Sequence, residues 1–132
     1  MKKLIGLFIV LLVPLQCSAS SYTPSKDRIV DFITSTAMND GVDVTTALAI
    51  ATAESNLNPN AKNASSTASS LWQWLDGSFK YYCIDKYKIA DSMIEKNDYH
   101  TATLCAIKVI ADGGIDNWQA SRVLWEKLLA DG

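Results

Sequence analysis

The sequence predicts an all-α domain, and three observations carry that prediction. Apolar residues recur at three- and four-residue spacing almost from end to end. Asn, Asp, Ser, Pro and Gly fall between those runs, where helix caps and stops belong. No stretch alternates apolar and polar residues as a half-buried strand would, and there is no internal repeat.

The chain opens with Lys2 and Lys3, an apolar run from Leu4 to Leu15 and small residues at Cys17-Ser18-Ala19. That pattern is expected of a secretory signal at residues 1–19 cut after Ala19, since the run is short for a membrane span. A lipid-anchored reading through Cys17 is the weaker one, because Gln16 stands where a small residue is expected. Residues 20–132 then form one domain of 113 residues. Such a chain is expected to be secreted or periplasmic.

A first helix should follow Pro24, with Ile29, Phe32, Ile33 and Ala37 on one face and Gly41 at its end. Asp43 is the expected N-cap of a second, from Val44 to about Asn56, halted by Asn58-Pro59. Residues Asn60 to Ser70 have the composition of a loop. The short aromatic stretch Leu71 to Leu75 and the turn Asp76-Gly77 lead to a helix over Ser78 to Tyr87. Two more are expected at Ile89 to Lys96 and Tyr99 to Asp112, the latter capped by Asn97 or Asp98 and closed by Gly113-Gly114. A last amphipathic helix, Trp118 to Leu129, carries Val123, Leu124, Trp125 and Leu128.

Composition excludes some functions. Without Lys2 and Lys3 the formal charge is −4, from ten basic and fourteen acidic side chains. No Lys/Arg cluster is present to neutralise a phosphate backbone, so nucleic acid is not expected as a partner. His100 is the only histidine and the cysteines are far apart, so neither a metal site nor a cofactor is expected. Once Cys17 is removed with the leader, Cys83 and Cys105 remain. In an exported protein they are expected to pair, the alternative being two buried free thiols.

Glu54 is the most informative residue. Seven small or aliphatic residues, Ala47 to Ala53, lead up to it, and the chain holds only two other glutamates, Glu95 and Glu126, both expected to face solvent. A carboxyl group in apolar surroundings holds its proton to higher pH, as a general acid on a glycosidic oxygen must. The alternatives are an ordinary charge at the unfavourable end of a helix or an ion pair with Lys62.

The segment Ser65-Ser66-Thr67-Ala68-Ser69-Ser70-Leu71-Trp72-Gln73-Trp74 follows. Together with Glu54-Ser55, Asn58-Pro59, Ala61 and the turn Gly77-Ser78-Phe79, it resembles the lysozyme-like lytic transglycosylases over about residues 44 to 79. The resemblance implies a lysozyme-like helical fold that cuts peptidoglycan between N-acetylmuramic acid and N-acetylglucosamine. It implies Glu54 as catalytic acid/base, with no second carboxylate needed, and Ser55 and Gln73 as cleft residues that hydrogen-bond the sugar. One of Trp72 and Trp118 is expected to face the cleft and stack on a sugar ring.

Two positions depart from the family pattern. Ser70 stands where it usually has Gly, and its later Tyr-containing cleft segment is not evident in Ile107 to Trp118. A lysozyme-type hydrolase would use a second carboxylate, for which Asp76 and Asp85 are candidates. A binding module that kept the fold and lost turnover is the third reading. Peptidoglycan is the expected partner in each, with a cell-envelope assembly or secretion apparatus as a possible setting.

Overall fold

The computed structural model describes residues 22–132, so the expected leader lies outside the described residues. Among the described residues, helices and loops make up the domain, and extended pairing is limited to the isolated bridges Lys62–Ser69 and Ser69–Trp74.

Helix α1 spans Lys26–Asn39. Ser25, one residue after Pro24, is its N-cap and accepts from the Arg28 N–H. Its inward face is Ile29, Ile33, Thr36 and Ala37. Helix α2, Val44–Ser55, begins as expected at Asp43, whose carboxylate accepts from both the N–H and the hydroxyl of Thr46 at 2.7 Å. Ala47, Ala49, Ile50 and Ala51 are all buried, so α2 is enclosed on several sides by α1 and the C-terminal helices. It ends before Pro59, because Asn56 and Leu57 both turn left-handed (φ 52° and 59°).

After the loop, the next helix starts two residues earlier than expected. One α-helical turn, α3 at Asp76–Phe79, widens into a π-helical segment at Lys80–Lys86. The helix expected at Ile89 to Lys96 is absent over its first half. The N–H groups of Ile89 and Ala90 both turn back to the Cys83 carbonyl (2.9 and 3.0 Å), so they are not available for a new helix. Only a 3₁₀ turn, Met93–Asn97, forms there. Glu95 accepts from the Asp91 and Ser92 N–H groups at its start rather than facing solvent freely.

Helix α4, Tyr99–Ala111, is capped by Asp98 and buries Ala102, Thr103, Cys105, Ala106, Ile107 and Val109. Cys105 is joined to Cys83 with Cα atoms 5.5 Å apart, which ties the π-helical segment to α4. Past α4, a Cβ added at Gly114 would lie 2.6 Å from Val109 Cγ1, so this turn admits only glycine without movement.

The last helix differs most from expectation. Ile115–Ser121 is 3₁₀ and breaks at Trp118 (φ −107°, ψ 26°); α5 begins only at Arg122 and runs to Asp131. Its inward side chains are Trp125 and, partly, Leu129, while Val123, Leu124 and Leu128 are exposed. The Trp125 indole N–H is held 3.2 Å from the Trp118 carbonyl, and this sets which face of α5 turns inward. The four tryptophans otherwise form the core beside α2, and each indole N–H donates to a protein acceptor.

Candidate active site

Glu54 sits one residue from the end of α2, where the helix emerges from the core. Its carboxylate faces a cavity of about 290 Å³. The loop supplies Asn63, Ser66 and Ala68 to the walls, and the aromatic stretch supplies Gln73, Trp74 and Leu75. Ser78 of α3 and Asn117, Trp118 and Ala120 of the 3₁₀ segment complete them. Burial pushes the Glu54 carboxyl above its usual range, and a hydrogen bond from Ser121 opposes part of that rise. Its partner is therefore Ser121, not the Lys62 considered as an ion-pair alternative.

The cavity wall is held by a second set of contacts. Lys96, only 6% exposed, donates to the Thr67 carbonyl (2.7 Å) and to Asp76 (2.5 Å), and the Ser69 hydroxyl reaches Asn97 (2.9 Å). These bonds clamp the serine-rich loop to the start of α3 and to the 3₁₀ turn. Four of the five non-glycine residues with left-handed backbone among the described residues, Asn56, Leu57, Ser70 and Gln73, lie between the end of α2 and the aromatic stretch. Of these, Gln73 lines the cavity.

The transglycosylase SLT domain family matches residues 31–112, more than half of the chain. The chain belongs to this family. No curated protein and no solved structure matches it. The all-α architecture is that of a lysozyme-like SLT domain. The matched span runs from within α1 to the end of α4 and includes Glu54; the segment bearing Asn117, Trp118 and Ser121 lies beyond it.

Within this SLT domain the expected site residues separate into two groups. Glu54, Gln73 and Trp118 meet at the cavity. Ser55 and Trp72 do not. The Ser55 hydroxyl donates to the Leu71 carbonyl (2.7 Å) and accepts from the Asn58 N–H, so it ties the end of α2 to the aromatic stretch. Trp72 is 0% exposed and donates to the Thr103 hydroxyl, which corrects the expectation that it could stack on a sugar. Gln73 uses its amide nitrogen on the Ser70 (2.8 Å) and Ala61 (3.3 Å) carbonyls, which orients the side chain along the wall. Ser66 and Ser78 belong to the stretches that carry the family resemblance, without an expected role of their own; Asn63 and Asn117 were not singled out from the sequence. They are common loop and turn residues, and no local pattern distinguishes them.

Ser70 of the SLT domain lies buried at φ 70°, and its hydroxyl has no hydrogen-bond partner among the described residues. It does not line the cavity, so it does not alter the approach of a substrate there directly. A left-handed non-glycine residue and an unsatisfied buried hydroxyl are each destabilising. Ser70→Gly should therefore raise stability by about 1 kcal/mol, measured as a higher urea midpoint at unchanged slope. A lower midpoint would mean that the hydroxyl has a partner.

Proposed function

We propose that this SLT domain is a peptidoglycan lytic transglycosylase with Glu54 as its general acid and base. The observation that carries this reading is a lone, half-buried carboxyl group with a raised pKa in a cavity otherwise walled by neutral side chains. The protonated Glu54 gives its proton to the glycosidic oxygen as the bond from that oxygen to the muramoyl C1 breaks. The muramoyl 6-hydroxyl then bonds to C1 and returns its proton to Glu54, leaving a 1,6-anhydro end. One carboxyl group serves both transfers. The amide and hydroxyl groups of Asn63, Gln73, Ser78 and Asn117 suit the hydrogen-bonding groups of an N-acetylated sugar, with Trp74 and Trp118, both nearly buried, as the apolar part of the wall.

The hydrolase alternative is less well supported. Of its candidates for the second carboxylate, Asp76 pairs with Lys96 and Asp85 with Lys80 (2.7 Å), and neither lines the cavity. Cell wall is an extracytoplasmic substrate, which fits the leader expected at residues 1–19. Mass spectrometry of fragments released from purified peptidoglycan tests the proposal. Anhydromuramic ends are expected; reducing ends would indicate a hydrolase, and sugar binding with no release a binding module.

A further inference from the structure

The Ser121 hydroxyl has one hydrogen and two acceptors. It lies in contact with Glu54 Oε1 and 3.1 Å from the Trp118 carbonyl oxygen. That carbonyl is also where the Trp125 indole bonds, and the break in the helix at Trp118 is what turns it and Ser121 toward the end of α2. We infer that Ser121 is a positioning residue for Glu54, holding Oε1 in both protonation states and leaving Oε2 as the oxygen that exchanges a proton with substrate. The inference rests on the catalytic reading above.

The chemistry follows from the donor count. When Glu54 is ionised, Ser121 donates to Oε1. When Oε2 carries the proton destined for the glycosidic oxygen, Oε1 is the carbonyl oxygen and still accepts from Ser121. Either way the carboxyl plane keeps one neighbour, and the proton on Oε2 can pass to and from substrate. The required partner lies 67 residues away in sequence and outside the span that matches the family.

Charged groups on the elements around α2 do not replace this contact. Arg122 of α5 is engaged with Asp116 and Glu126, and Lys127 and Asp131 are exposed. On α1, Lys26, Asp27, Arg28 and Asp31 are exposed, as is Lys62 in the loop. None contributes to the shift at Glu54, which comes from burial and Ser121 alone.

The chain has three glutamates, so labelling glutamate with ¹³C at Cδ gives three titrating signals, and Glu54→Gln identifies the one from Glu54. In Ser121→Ala, the Glu54 titration should move to higher pH. Turnover should fall about tenfold with KM little changed, and the basic limb of the pH profile should move up with the titration. Ser121→Thr, which keeps the hydroxyl, should restore both. A Glu54 titration that is the same in wild type and Ser121→Ala overturns the inference. Absence of turnover in wild type overturns the catalytic reading beneath it, and is recognisable because the titration still moves.

Discussion

Glu54→Gln should abolish lysis of purified cell wall and, at neutral pH, raise the melting temperature. The amide keeps the size of the side chain and can still accept from Ser121, so the cavity is preserved and only the proton is lost. General acid–base groups contribute about 10²–10⁴-fold to rate, so the variant should lie at least about a hundredfold below wild type. The stability gain follows from proton linkage. Burial raises the folded-state pKa of Glu54 above its unfolded value. Between those two values the folded chain binds more protons than the unfolded one, so stability declines as pH rises through that window. Above it the full penalty of a buried charge remains, and glutamine removes it. Below the unfolded pKa both forms of the chain are neutral at this position, and the advantage of the variant should vanish. Zymography together with thermal melts at acidic and neutral pH checks both halves. Retained lysis would remove Glu54 from the chemistry, and a variant less stable at neutral pH would contradict its burial.

Loss of the Cys83–Cys105 bond should cost about 3 kcal/mol. The two cysteines are 22 residues apart in sequence, and the bond restricts the unfolded chain over that loop. Both are fully buried, one in the π-helical segment after α3 and the other in α4. The double variant Cys83→Ser, Cys105→Ser should therefore show a lower urea midpoint, and reductant should have no further effect on it. Reductant should bring wild type to nearly the same midpoint. Since stability of single domains is commonly 5–15 kcal/mol, a loss of this size is a large part of the whole. Equal midpoints for wild type with and without reductant would show that the bond adds nothing.

Much of the fold was legible because its signals are local. Asp43 and Asp98 cap the helices that they precede, and a side chain that accepts from an N–H three residues on needs no tertiary information. The helical periodicity of α1 and α4 likewise states which faces are buried. Glu54 stood out for a similar reason, since the seven residues before it already describe its surroundings. The misreadings occur where a distant group competes with a local preference. Residues Ile89 and Ala90 have helical neighbours but give their N–H groups to Cys83, and Trp118 leaves the helix that its own sequence favours. Trp72 and Trp118 could not be separated by type or spacing, because what separates them is which wall of the core each one meets.

The residues alone established an all-α chain and a carboxyl group at the end of an enclosed helix. They also established a serine-rich and aromatic stretch of lytic-transglycosylase type. Tertiary structure decided which groups complete the site. Ser121 reaches Glu54 across 67 residues and Lys96 reaches Asp76 across 20; neither pair leaves a trace in spacing or composition. The reason is physical. Caps and helical faces depend on residues within a turn or two of one another, whereas the surroundings of a carboxyl group at a cavity are set by whichever segments the packed core brings beside it.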